Sequence, residues 1–165
     1  LVILGNLYLE LNQPSKALTS FNQSIEVIDK SNLPQAVKVN GHTTHLFNLS
    51  RVFAVQGEIE KAKETSDLFA EQVGIRNNPI QVKLIAQLKG IIAMHEGNYQ
   101  TAITEFQEAN QLNPYNLFRI GQAYDALGEN EKAASYILRA EELNVLNSMD
   151  QAVVLSKTKF LKSPS

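Results

Sequence analysis

The side chains able to do chemistry are few and badly placed for it. His42 and His45 stand three apart, a spacing that sets two imidazoles one helical turn apart as metal ligands often are. A third ligand would have to come from His95, the remaining histidine, or its neighbour Glu96. His45 falls near the start of one unit's first helix and His95 near the end of the next unit's first helix. Some ten residues at about 1.5 Å each then hold them about 15 Å apart, too far for a single ion. The paired carboxylates Glu58 with Glu60 and Glu141 with Glu142 stand beside Lys61, Lys63 and Arg139 at expected helix ends. There they suit solvation and the helix dipole. Acid–base work would need a carboxylate driven into an apolar pocket. The chain has no cysteine, hence no thiolate zinc site and no cysteine nucleophile. Its glycines form neither G-x-x-x-x-G-K-[ST] nor G-x-G-x-x-G. The expectation is a protein without catalytic residues, cofactor or metal.

The 165 residues are 44% hydrophobic and 19% charged, with 15 basic against 17 acidic side chains and a net charge of −2. No basic block is present to neutralise phosphates, which argues against nucleic acid. No apolar run approaches the roughly 20 residues of a membrane span, so no membrane insertion is expected. The chain opens on Leu1 already in helical period and ends on KFLKSPS, so it reads as the C-terminal part of a longer protein. Any signal peptide would precede Leu1. The cytoplasm is therefore only the default compartment, and the periplasm stays open.

What must position these side chains is an internal repeat. LGNLYLELNQPSKALTSFNQS, LSRVFAVQGEIEKAKETSDLF, KGIIAMHEGNYQTAITEFQEA and IGQAYDALGENEKAASYILRA align on Ala17, Ala62, Ala102 and Ala133, with the spacing shrinking from each unit to the next. Each unit reads as two helices. Leu1, Leu4, Gly5 and Tyr8, and later Leu117, Ile120, Gly121 and Tyr124, form the stripe of a helix packed on one side. A helical Gly costs about 1 kcal/mol against Ala, so Gly5, Gly90 and Gly121 at one repeat position imply close approach of a neighbouring helix. Gly57, Gly97 and Gly128, with Asn12 in the same slot, mark left-handed turns. Asn98 reads as an N-cap and Pro14 as a first-turn proline, and the third unit stops at Asn113 and Pro114.

These small-residue slots, the aromatic slots Tyr8, Phe53 and Tyr124, the alanine series, Phe21, Phe106 and Pro114 together resemble the tetratricopeptide repeat over roughly residues 1–145. The second half, EGNYQTAITEFQEANQLNPYNLFRIGQAYDALGENEKAA, resembles bacterial repeat proteins of that family. Repeat two departs from the pattern, with Ser50 at the Gly slot and Ser66 at a bulky one. The first two spacings exceed the family's usual length of about 34. A single long helix from Pro34 would account for the first, and a stop at Gly74, Asn77 and Asn78 before Pro79 for the second. The resemblance implies an all-α fold, a right-handed superhelix of stacked antiparallel helix pairs. The pairs would occupy about 1–31, 34–76, 79–113 and 114–146. Ser148 then caps a closing helix over 147–162, with Met149, Ala152, Val153, Ser156 and Phe160 on its packed face and Lys157, Lys159 and Lys162 on its polar side.

In such a stack the first helices line the concave side. Counting about 100° per residue selects Val2, Asn6 and Leu9; Phe47, Arg51 and Ala54; Gln87, Ile91 and Met94; and Phe118, Gln122 and Asp125, with Asn48 and Arg119 flanking the same face. The expected partner-binding groove is Asn6, Phe47, Asn48, Arg51, Gln87, Ile91, Met94, Phe118, Arg119, Gln122 and Asp125. Its occupant would be a protein or peptide, with aromatic and aliphatic anchors and polar groups that orient the chain. Some members of the family grip a C-terminal carboxylate with Lys and Arg on this face. Asn6 and Asn48 match the amide part of that pattern, but Val2, Leu84 and Leu88 stand where the cations would be. The expected function is a non-enzymatic interaction scaffold. The alternative is a regulatory or dimerising C-terminal region of a larger enzyme, receptor or DNA-binding protein, with a homo-oligomer left open.

Overall fold

The structure, a computed structural model, describes residues 1–76, 79–143, 145 and 148–162. Among them the chain is all α, as expected: α1 (Val2–Glu10), α2 (Pro14–Lys30), α3 (Gln35–Gln56), α4 (Ile59–Arg76), α5 (Pro79–Glu96), α6 (Tyr99–Glu108), α7 (Pro114–Ala126), α8 (Asn130–Glu142) and α9 (Met149–Lys162). Consecutive helices pack on one another along the chain, α3 also meets α5, and α9 packs on both α7 and α8. The result is an α-solenoid of helix pairs with a terminal helix laid over the last one.

The four turns within the pairs are built alike. Asn12, Gly57, Gly97 and Gly128 have φ of 54°, 78°, 75° and 75°. The next residue in each case donates its N–H to a carbonyl five residues back: Gln13 to Tyr8 at 2.8 Å, and Glu58 to Phe53, Asn98 to Ala93 and Glu129 to Tyr124 at 2.9 Å. Three of those acceptors are the aromatic-slot residues. The turn thus closes onto the residue that the packing already holds, and the left-handed position is what lets the chain double back within a few residues.

Packing within a pair follows one rule. A Cβ on Gly90 would stand 2.8 Å from the Phe106 ring, and one on Gly121 would stand 2.7 Å from Ile137 Cγ1 and 3.1 Å from the Ala133 carbonyl oxygen. Gly5 faces Phe21 in the same way. Each small slot lies twelve residues before the aligned alanine, and the group filling it lies four residues after that alanine. Repeat two obeys the rule by exchanging volume. Ser50 replaces Gly and Ser66 replaces the ring, both are buried, and Ser50 Oγ donates to the Ala62 carbonyl oxygen at 2.6 Å. The departure from the family pattern is therefore a compensated pair that puts a hydrogen bond where the other repeats put a bulky side chain.

The long insert behaves as expected, because Pro34 precedes the 22-residue helix α3. Gly74 corrects the expected stop: it lies inside α4, with nothing near the position its Cβ would take. Asn77 and Asn78 lie outside the described residues. Asn98 accepts from the Thr101 N–H at 3.4 Å, Asn113 from Tyr115 at 2.8 Å and Ser148 Oγ from Gln151 at 3.3 Å, so these three start α6, α7 and α9. In the main core Phe69, Leu88 and Phe106 meet Ile120 and Ala123 of α7, while Tyr115, Leu117 and Phe118 pack with Ala140 and Val154 under α9. Of the expected packed face of α9, Val153 takes part in that cluster and Ala152 and Ser156 are exposed, while the Phe160 side chain lies outside the described residues.

Candidate functional site

A cavity of about 290 Å³ opens where the first helices of all four pairs converge with α9. Its walls are Leu9 and Glu10 from α1, Arg51 and Val55 from α3, Ile91, Met94 and His95 from α5, Tyr115, Arg119 and Gln122 from α7, Lys157 from α9, and Asn12 from the first turn. The second helices contribute none of these residues. Such an origin follows from the stacking, because only the inner layer of a solenoid faces its own earlier repeats.

Five of the expected groove residues line this cavity: Arg51, Ile91, Met94, Arg119 and Gln122. Asn6 and Asn48 stand behind it, where their Oδ1 atoms accept from Arg51 Nη1 at 2.8 and 3.5 Å. Phe47 is buried, with its ring centroid 5.5 Å from that of Phe69 and from the Arg51 guanidinium. Gln87 is buried as well, and its Oε1 accepts from Asn116 Nδ2 at 3.4 Å, tying α5 to α7. Phe118 is only 1% exposed and sits in the core beneath α9, 6.0 Å from the Tyr115 ring. Asp125 lies away from the cavity wall. Of the helical-wheel selection, Arg51 of α3, Ile91 and Met94 of α5 and Arg119 and Gln122 of α7 reach the cavity, and the two phenylalanines serve packing.

Glu10, Tyr115, His95 and Lys157 also line the wall, and the wheel selects none of them as groove residues. The periodicity of α9 puts Lys157 on its polar outer side. Instead its Nζ donates to Glu10 Oε2 at 2.8 Å and to Tyr115 Oη at 2.7 Å, while Tyr115 Oη donates to the same Glu10 oxygen. This network joins the first helix to the last across the cavity. Burial would raise the pKa of Glu10, but the hydrogen bonds from Lys157 and Tyr115 and the positive charges of Lys157 and Arg119 outweigh it and hold the carboxyl below its ordinary value. Burial works against the charge of Lys157 too, and its bonds to Glu10 and Tyr115 win, so its ammonium titrates above the ordinary value.

The two arginines are held differently. Among the described residues Arg51 hydrogen-bonds only to neutral amides, and desolvation, reinforced by the positive charge of Arg119 and only partly offset by Glu10 and Asp150, pushes its guanidinium down to about 10. Arg119 lies against aromatic surface, 3.9 Å from the Tyr115 ring centroid and 5.8 Å from that of Phe106. Its Nη1 is fully buried and has no hydrogen-bond partner among the described residues. His95 is held below its ordinary value by burial and then by Arg119. His42 and His45 belong elsewhere: His42 Nε2 lies 2.8 Å from Asp29 Oδ1 at the α2–α3 contact. Among the described residues no cluster of three metal-ligating side chains occurs, and no helix is long and apolar enough to cross a membrane.

The repeated helix pairs agree with what family comparisons show. The tetratricopeptide repeat family matches residues 1–30, so the family likeness carried by the repeated slots holds. No curated protein matches the chain. The family described as Regulator of microtubule dynamics protein 1-3 matches residues 78–164, more than half of the chain, and the chain belongs to that family.

Proposed function

We propose that the chain is a non-enzymatic interaction module whose cleft between the first helices and α9 holds a peptide or helix of a partner protein. The observation that carries this reading is the composition of the cleft wall: Ile91 and Met94 offer apolar contact beside Arg51, Arg119 and Gln122, all from adjacent helices of one inner layer. The family's name attaches regulation of microtubule dynamics to its members. A module that recruits a protein partner suits such a role and asks for no catalytic group. Division into pairs at about 1–31, 34–76, 79–113 and 114–146, with a closing helix from 147, belongs to the same reading.

The test is tubulin polymerisation followed by light scattering, with and without the chain, alongside capture of a displayed peptide library. Arg51→Glu with Met94→Ala alters the cleft, and Glu26→Lys alters the outer surface of α2, where Glu26 pairs with Lys30. The cleft variant should lose peptide capture and any effect on polymerisation while keeping its helical circular dichroism, and the outer variant should keep both. Loss in the outer variant alone would move the site out of the cleft.

A further inference from the structure

We propose that the floor of the cleft is an oxyanion site, in which Arg51 and Arg119 together receive a carboxylate or phosphate carried by an acidic peptide segment. This rests on the peptide-binding reading above and says what the peptide must carry. The cavity wall holds three cations, Arg51, Arg119 and Lys157, against one carboxylate, Glu10. That carboxylate is already engaged by Lys157 and Tyr115. Among the described residues neither guanidinium forms an ion pair. Two guanidiniums near enough to repel each other are thus left in a partly desolvated cleft, one on neutral amides and the other with a buried Nη1 that donates to nothing among the described residues.

Burying such charge without a counter-ion is expensive, and it is stabilised most by an acceptor with two or more oxygens that both forks can reach. The rings of Phe47, Tyr115 and Phe106 keep the guanidiniums oriented for it. The cavity volume is about ten times a water molecule's share of about 30 Å³, enough for an oxyanion and part of its carrier. The positions differ from those of the carboxylate-gripping members of the repeat family, whose cation slots hold Val2, Leu84 and Leu88 here.

The test titrates the chain with acetate, with inorganic phosphate and with hexaglutamate, at ionic strength held constant with sodium chloride. The readouts are the arginine side-chain N–H resonances and the melting temperature. Saturable shifts of Arg51 and Arg119 with acetate or phosphate are expected, with affinity at least tenfold weaker in Arg119→Gln. Arg119→Lys keeps the charge and removes the fork; it should weaken phosphate at least threefold and serves if the Gln variant does not fold. Shifts that never saturate, or equal affinity in wild type and both variants, overturn the site. Hexaglutamate separates the two proposals. If small anions bind and no peptide does, the oxyanion site stands and the peptide reading falls. If peptides bind in the cleft equally well with and without Arg119, the oxyanion site falls and the peptide reading stands.

Discussion

Lys157 Nζ lies 2.8 Å from Glu10 Oε2, so the last helix is tied to the first across nearly the whole length of the chain. The Glu10 side chain is 15% exposed and that of Lys157 37%, which places the pair between a surface bridge and a buried one. Glu10→Gln keeps the shape of the side chain and leaves Lys157 beside Arg119 without its anion. The expected loss is about 1–2 kcal/mol, between the values for exposed and fully buried pairs because water still screens the lysine. Glu10 has a depressed folded-state pKa, so its stabilisation is present above the unfolded carboxyl value and is lost as pH falls through the folded one. Urea denaturation between pH 2.5 and 6 should show a shallower acid decline in the Gln variant. An identical slope would mean that Glu10 contributes nothing to acid sensitivity.

The small-slot rule makes a reciprocal prediction. Gly90→Ala brings a Cβ to 2.8 Å from the Phe106 ring, and overpacking of about 1–3 kcal/mol should exceed the gain in helix propensity of about 1 kcal/mol. Phe106→Leu should recover part of that loss in the double variant. In repeat two, Ser66→Phe should destabilise strongly by itself and much less together with Ser50→Gly, which recreates the arrangement of the other repeats. Additive losses in either double-mutant cycle, measured by urea unfolding, would show that the two positions do not share volume.

These pairs show why the fold is legible in the sequence and the cavity only half so. Periodicity and turn residues act within a single helix pair, so the Gly and Asn turns, the Asn98 and Ser148 caps and the Pro34 start can all be read locally. A further local signal runs through the repeats. A lysine immediately before the aligned alanine lies over the aromatic slot in three of them, Lys16 on Tyr8, Lys61 on Phe53 and Lys132 on Tyr124, at 5.6, 5.9 and 5.2 Å. In repeat three both are gone, replaced by Thr101 and Ala93. The contact between Glu10 and Lys157 depends instead on how far the stack curves. Small rotations between successive pairs set that curvature, and no single repeat encodes it. Phe118 escapes a local reading for the same reason, since its face on α7 is covered by α9, beyond the whole of α8 in the chain.

His95 should make the cleft sensitive to mild acid. Burial and the nearby Arg119 hold its folded-state pKa below the ordinary value of 6.5. The unfolded chain therefore takes up the proton first, and stability falls as pH drops below about 6.5 toward the folded value. His95→Gln should flatten this part of the profile and leave the steeper decline of the carboxylates near pH 4 in place. Titration of the His95 ring signals by NMR checks the cause directly. A midpoint at or above 6.5 would count against it.

Glu10 stands where an incoming anion would compete with it, because its charge is felt by Arg51, Tyr115 and Lys157 alike. The carboxylate that ties α1 to α9 is then also the internal rival of an oxyanion in the cleft. Glu10→Gln should have opposite effects on two measurements. It should lower stability without ligand by the loss argued above, and raise affinity for phosphate about tenfold, because Lys157 and Arg119 lose the negative charge that partly satisfies them. The melting-temperature gain on adding phosphate should therefore be larger in the variant than in wild type. A variant that is destabilised and binds phosphate no better would show Glu10 to be purely structural, with the cations of the cleft serving the fold.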